Sequence, residues 1–330
     1  MKKVLQYLFE HKTLSRQAAM DVLVKIGKGL YNEHEVTAFM TVYLMRSITI
    51  EELQGFRDAL LELCVAVDLN EQDTIDIVGT GGDGKNTFNI STLACFIVAG
   101  SGQKVTKHGN YGASSISGAS NVMEQLGYHF SSDNDKLRKE LSAANICFLH
   151  APLFHPALKT VGPIRKNLAV RTFFNMLGPM ANPANPAYQL VGVFSLEMAR
   201  IYNYLLQLSD KPFTIIHSLD GYDEISLTND TKVITNEGER IMTPEQLGKR
   251  MVSPQDISGG NSVEEAAKIF TTILKGEGSW AQHAVVLANA AMALYCTGKF
   301  EAYNDAYNAA VDSLESGRAN EVLTKLISMQ

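Results

Sequence analysis

Roughly the first 65 residues carry apolar positions at helical spacing and nothing that reads as a strand. Val36, Phe39, Met40, Tyr43 and Leu44 form one stripe, and Leu53, Phe56, Leu60 and Leu63 form another. Asn32 with Glu35, and Thr49 with Glu52, are capping-box pairs that would start these two helices. Gly27 and Gly29 would end an earlier helix carrying Val22, Leu23 and Ile26. So many apolar stripes in a short helical region need a surface to cover them, either a second domain or another subunit.

From Asp68 the pattern changes to short apolar runs separated by glycine-rich polar stretches. Residues 74–78 predict a strand that runs directly into Gly79-Thr80-Gly81-Gly82-Asp83-Gly84, with a helix starting near Ser91. A second strand at 103–106 leads into the glycine- and serine-rich stretch 107–118, then a helix that stops at Leu126-Gly127, and 146–149 predicts a third strand. This alternation predicts a mostly parallel sheet. Helical texture returns over 156–177 and is closed by Gly178-Pro179, Pro183 and Pro186, a linker or rigid loop. Beyond it come a strand at 188–194, a helix at 196–208, a strand at 214–218, and the loop Asp220-Gly221-Tyr222-Asp223-Glu224. The rest reads as helix. Thr243-Pro244-Glu245-Gln246 and Ser262 with Glu265 are start signals, and Ala288, Ala290, Ala291 and Ala293 suit close packing.

A length of 330 residues is room for about two domains and a sizeable core. The net charge of −6 disfavours nucleic acid or an anionic membrane as the main partner, without excluding a local basic pocket. Cys64, Cys95, Cys147 and Cys296 are too far apart for a CxxC site and sit among apolar neighbours, as buried reduced thiols do. No secretory signal is visible at the start. The most apolar stretch, 284–296, is too short to span a bilayer and contains Asn289. A cytoplasmic enzyme is the expectation.

Three loops carry candidate chemistry. Four glycines in six residues after a strand free the backbone to turn and let a ligand approach its N–H groups, and a following helix N-terminus suits a phosphate. The loop matches neither the Walker pattern nor the dinucleotide glycine spacing, and a bare tight turn is the plain alternative. Asn89, Ser91 and Thr92 cluster at the helix start, where capping accounts for one of them. Lys107-His108-Gly109-Asn110 and Ser114-Ser115 follow the second strand, at the end of a parallel sheet where ligands bind. Asp223-Glu224 is either a solvated acidic turn or a chelate for a hard cation such as magnesium, which takes one or two carboxylates plus substrate phosphates.

Taken in order, GTGGD at 79–83, NIST at 89–92, KHGN at 107–110, SS at 114–115, HPA at 155–157, RTFFNMLGP at 171–179 and GYDE at 221–224 resemble the motifs of the anthranilate phosphoribosyltransferases over nearly the whole chain. The resemblance implies an α/β fold of the nucleoside phosphorylase/phosphoribosyltransferase type. It pairs a small all-helical domain, 1–66 plus 163–185, with a larger α/β domain, 67–162 plus 186–330, whose mostly parallel sheet is flanked by helices. The reaction implied is transfer of phosphoribosyl from phosphoribosyl pyrophosphate to the amine of anthranilate in tryptophan biosynthesis, with two magnesium ions per subunit and a homodimer formed through the helical domain.

The resemblance also implies roles. Lys107, His108, Asp223 and Glu224 would be catalytic. Gly79, Gly82, Asp83, Thr87, Asn89, Ile90, Ser91, Thr92, Lys107, Ser114, Ser115 and Ala119 would bind phosphoribosyl pyrophosphate. Gly79, His108, Asn110, Arg165, Gly178 and Pro179 would bind anthranilate, and Ser91, Asp223 and Glu224 would meet the metal. The chain departs from the family pattern at Tyr111, where arginine is common, at Ile116 in place of lysine, at Ala119 in place of serine and at Asn121 in place of aspartate. Two positive charges are thereby missing from the second loop. A nucleoside phosphorylase and a noncatalytic nucleic-acid-binding relative are the alternatives. Asn110, Arg165 and the Gly178-Pro179 pair argue against the first, and the charge and the Asp223-Glu224 pair against the second.

Overall fold

The computed structural model describes residues 1–112, 116–168, 170–248 and 250–330. The chain divides into two compact units, Met1–Val67 with Ala151–Asn185, and Asp68–His150 with Pro186–Gln330.

The first unit is helical. Its principal helices are Lys2–Phe9, Arg16–Gly27, Glu33–Met45, Ile50–Glu62 and Pro156–Leu168. Both predicted capping boxes form: the Glu35 N–H donates to Asn32 Oδ1 at 3.0 Å, and the Glu52 N–H to Thr49 Oγ1 at 3.2 Å. The predicted stripes converge on an aromatic cluster in which Phe56 stacks on Phe173 at 4.5 Å while Phe39 and Tyr43 meet them edge-on. Helices Arg16–Gly27 and Ile50–Glu62 cross at Gly55, where a Cβ would overlap the carbonyl of Arg16. The segment returning to this unit begins at Ala151, upstream of the Pro163 boundary expected from sequence. Buried Phe154 accepts the Val65 N–H at 2.8 Å through its carbonyl, Ala157 packs against Gly27, and one helix runs unbroken through Pro163. The helix expected over 156–177 stops at Leu168, and a single turn, Phe174–Leu177, follows.

The second unit is built on seven strands: β1 Thr74–Gly79, β2 Lys104–Gly109, β3 Ile146–His150, β4 Tyr188–Gly192, β5 Phe213–Ser218, β6 Thr231–Thr235 and β7 Gly238–Met242. Their order is β3-β2-β1-β4-β5-β6-β7. The first five are parallel, and β6 and β7 add an antiparallel edge absent from the sequence reading. Ile90–Gly100 and Trp280–Cys296 are almost wholly buried helices, apolar on every side, and lie in the main hydrophobic cluster of this unit. None of the described helices is long and apolar enough to cross a membrane.

Candidate active site

Chain order reverses between β1 and β4, since β1 leads to β2 on one side while β3 crosses to β4 on the other. A parallel sheet opens a crevice at the carboxyl ends of its strands at such a switch point. All the singled-out loops of this unit leave from those ends: Thr80–Asn89 after β1, the stretch from Asn110 after β2, and Leu219–Glu224 after β5.

Asp223 reaches the first loop. Its Oδ2 accepts the Gly81 N–H at 2.6 Å. Gly81 and Gly82 have φ of 65° and 76°, left-handed values that side-chain-bearing residues avoid. Gly79 and Gly192, at the ends of β1 and β4, are where Asp223 fits: a Cβ on Gly79 would overlap its carboxylate, and one on Gly192 its backbone carbonyl. Glu224 reaches the helix that follows. Its Oε1 accepts the Ser91 N–H at 2.8 Å, so a carboxylate distant in sequence meets an orphan donor of the first turn. Asn89, the residue placed to cap this helix, instead donates its amide to the Ser117 carbonyl at 2.9 Å. The Thr87 hydroxyl points to Glu224 Oε2 at 3.4 Å.

Burial raises the carboxyl pKa of Glu224, and the neighbouring Asp223 charge raises it further. Burial and then Asp83 do the same to Asp223, and burial raises Asp83 as well. None of the three forms an ion pair among the described residues. Converging, dehydrated carboxylates with no direct ion pair among the described residues are a hard-oxygen donor set, and their chemistry fits a divalent cation. No group of three His, Cys, Asp or Glu residues among those described is gathered closely enough to hold a metal ion unaided. The pair therefore fits an ion that takes further ligands from its substrate.

Lys107 is buried on β2 and donates Nζ to the Ile77 carbonyl at 2.7 Å. His108 beside it is also buried, and its N–H donates to Asp76 Oδ1 at 3.2 Å. Asn110 is exposed, and its Oδ1 accepts the Tyr111 N–H at 2.8 Å. Thr92 is buried. Ile90 departs from expectation: its side chain lies wholly in the core and its N–H is taken by the Phe88 carbonyl at 2.6 Å, so neither is offered to a ligand. Ala119, at the first turn of the helix Ala119–Gln125, brings only a methyl group. Ser114 and Ser115 lie outside the described residues.

The departures have local partners. The Tyr111 hydroxyl donates to Glu124 at 2.8 Å, and its ring meets the edge of His150 at 4.8 Å. Asn121 Oδ1 accepts the N–H groups of Gly112 and Gly118, each at 3.0 Å, closing the ends of the loop on one another. Ile116 is exposed.

The helical unit holds Arg165, Gly178 and Pro179. Arg165 is half-buried near the end of Pro156–Leu168, its guanidinium 5.6 Å from the Phe174 ring centre and 3.5 Å from Asn175 Oδ1. Burial lowers its pKa, and it has no carboxylate partner among the described residues. Gly178 and Pro179 form a short 3-10 turn with Met180. His155 and His217 are structural, each bonding a backbone carbonyl at 2.8 Å: Ala181 for the first, Val193 for the second.

Three residues that hold the Asp223–Glu224 loop were not legible beforehand: Gly192, against which Asp223 packs, Ser218, whose hydroxyl donates to the Glu224 carbonyl, and Asn289, which bonds the Ile225 backbone. Only Asn289 carried a signal, as a polar residue in an apolar helix.

Comparison with known proteins agrees with this architecture. Residues 2–64 match the family model described as "Glycosyl transferase family, helical bundle domain", and residues 71–320 match "Glycosyl transferase family, a/b domain". The anthranilate phosphoribosyltransferase of Christiangramia forsetii is 58% identical over 99% of this chain and 98% of its own length. That of Bacteroides thetaiotaomicron is 56% identical over 100% and 99%. Among solved structures, anthranilate phosphoribosyltransferase from Thermus thermophilus superposes with a TM-score of 0.92 at 29% identity, covering 98% of both chains. The Saccharomyces cerevisiae enzyme in complex with PRPP and Mg superposes at 0.88 with 28% identity, covering 96% of this chain and 93% of its own. On these full-length relationships, the chain belongs to the anthranilate phosphoribosyltransferase family.

Proposed function

We propose that this chain transfers the phosphoribosyl group of phosphoribosyl pyrophosphate to anthranilate, giving N-(5-phosphoribosyl)anthranilate and pyrophosphate in tryptophan biosynthesis. The bond broken joins ribose C1 to the pyrophosphate oxygen, the bond formed joins C1 to the anthranilate nitrogen, and the amine loses a proton. The observation that carries the reading is the pair Asp223 and Glu224, buried against the Gly81 and Ser91 N–H groups at the switch point.

Positive charge develops on C1 and the ring oxygen as pyrophosphate leaves, so catalysis rests on stabilising the leaving anion. The aromatic amine is neutral at pH 7 and needs no strong base. Gly79, Gly82, Asp83, Thr87, Asn89, Ser91, Thr92 and Ala119 surround the sugar phosphate, with the glycine-loop N–H groups on its oxygens. Lys107 and His108 line the same site from β2. Asp223, Glu224 and Ser91 hold magnesium, two ions per subunit. Bound there, magnesium neutralises the pyrophosphate and favours its departure. The family resemblance gives Asn110, Arg165, Gly178 and Pro179 anthranilate-binding roles, and a guanidinium fork suits the anthranilate carboxylate. The absence of a protein carboxylate on Arg165 among the described residues supports that role.

We also propose a homodimer formed through the helical unit, which leaves Phe9, Leu30 and Met45 exposed, and a cytoplasmic location, in keeping with four free cysteines. The deciding assay is loss of anthranilate fluorescence on adding phosphoribosyl pyrophosphate and magnesium. Turnover that vanishes with a chelator supports the reading, and a well-folded sample without turnover overturns it.

A further inference from the structure

Asp223 and Glu224 sit in a loop, yet they must stay aimed despite burial and mutual repulsion. The means of holding them lies in the backbone around them. The Ser218 hydroxyl, at the end of β5, donates to the Glu224 carbonyl at 2.7 Å and accepts the Ser226 N–H at 3.1 Å. The next residue, Ile225, is held by Asn289: its N–H donates to Asn289 Oδ1 at 3.0 Å, and its carbonyl accepts from Asn289 Nδ2 at 2.8 Å. The same amide also donates to the Val285 carbonyl at 2.9 Å, which locks its rotamer to its own helix. Ser218 is fully buried and Asn289 nearly so.

A buried amide inside an apolar helix costs desolvation unless its hydrogen bonds are made. Here they are made, and two of the three go to the backbone next to Glu224. A hydrophobic side chain at 289 would serve the core equally well but would leave the Ile225 N–H and carbonyl unpaired in a dry environment. The helix Trp280–Cys296 is thus tied to the carboxylate loop by a two-bond clasp, with Ser218 gripping the other side.

We propose that Asn289 and Ser218 are positioning residues for the metal-binding carboxylates, fixing the backbone of residues 224–226 so that Asp223 and Glu224 are held ready for magnesium before substrate arrives. The proposal rests on the reading of that pair as magnesium ligands. Asn289 and Ser218 both act through the backbone of residues 224–226.

The test compares wild type with Ser218→Ala, Asn289→Leu, the double variant Asp223→Asn/Glu224→Gln, and the control Ser313→Ala. Ser313 is a fully buried serine whose hydroxyl donates to the Ile97 carbonyl at 2.7 Å, so its loss is of the same kind. Mn2+ binding is followed by electron spin resonance in the presence of inorganic pyrophosphate, and KM values are measured separately. Ser218→Ala and Asn289→Leu should each weaken Mn2+ binding about tenfold and raise the magnesium concentration needed for half-maximal rate in proportion. KM for anthranilate should stay unchanged, and Ser313→Ala should lower the melting temperature without altering Mn2+ affinity. If Asn289→Leu fails to fold, Ser218→Ala carries the test. Wild-type Mn2+ affinity in Ser218→Ala, or an equal loss in Ser313→Ala, overturns the positioning role. If the double carboxylate variant binds Mn2+ as wild type does, the reading of the pair as metal ligands falls and the proposal with it. If that variant loses the metal while Ser218→Ala keeps it, only the positioning role falls.

Discussion

Asp223 and Glu224 each accept a backbone N–H, yet burial and neighbouring charge still disfavour their ionised forms. Replacing both with isosteric amides should therefore have opposite effects on stability and rate. In Asp223→Asn/Glu224→Gln the metal-free protein should melt at a higher temperature than wild type at neutral pH, because the buried, mutually repelling acidic pair is gone. Its turnover should drop by about a hundredfold or more, since stabilisation of the leaving pyrophosphate is lost. A calorimetric scan and the fluorescence assay measure the two effects, and an unchanged rate would make the pair a simple turn. Arg165→Ala should act differently, raising KM for anthranilate by about tenfold or more while leaving KM for phosphoribosyl pyrophosphate nearly constant. Equal effects on both constants would contradict its role. At this scale the adjacent carboxylates alone left a solvated turn and a metal chelate both open; the resemblance singled the pair out, and the structure shows it buried. Ser218, Gly192 and Asn289 were not legible, because their work is done by contacts with residues remote in sequence: Asn289 meets Ile225 across 64 positions. Ile90 shows the converse, a residue inside a recognisable motif whose side chain belongs to the core.

Elements followed the sequence where local signals were strong. The two capping boxes formed as written, and the five parallel strands appeared where short apolar runs ended in glycine or polar loops. The β6–β7 hairpin escaped because β7 is largely exposed and polar, with little alternation to mark it. The break after Leu168 escaped because the apolar spacing continues past it, while Phe173 turns into the aromatic cluster. Two substitutions test the packing of the helical unit. Gly55→Ala would press a methyl group into the Arg16 carbonyl at the helix crossing and should cost about 1–3 kcal/mol in a denaturant titration. Glu52 is the second. Burial alone would raise its pKa, but hydrogen bonds from Arg46, Thr49 and Leu14 outweigh it and hold the carboxyl below its ordinary value. A carboxylate whose pKa is depressed by folding contributes stability above its unfolded pKa, and that stability disappears as pH falls through the folded value. Glu52→Gln should lose about 2–3 kcal/mol at neutral pH, with the difference from wild type shrinking in acid. Melting curves at pH 7 and pH 3 check this, and a pH-independent difference would refute it.

At the scale of the whole molecule, the charge of −6 and the predicted polyanionic substrate are compatible because attraction is local. On the proposed reading, loop N–H groups, Lys107, Arg165 and magnesium would supply it, while the net charge discourages nonspecific association with nucleic acid. The same charge bears on self-association, since two copies repel unless apolar burial between them compensates. The helical unit has the material for that burial. Phe9 is 62% exposed, Leu30 65% and Met45 83%, high values for large apolar side chains. If such surface is buried in a homodimer, the dimer should persist at high salt, because hydrophobic association does not weaken as surface ion pairs do. Phe9→Glu combined with Met45→Glu should then shift sedimentation at micromolar concentration from dimer towards monomer. Folded helical content should be retained, since both positions lie outside the core. Arg165 belongs to the same helical unit, so the monomeric variant should also show whether anthranilate binding depends on assembly. A raised KM for anthranilate with KM for the sugar phosphate unchanged would tie the two together. Wild-type protein that sediments as a monomer, or a charge-substituted variant that remains a dimer, would show that association does not run through this surface.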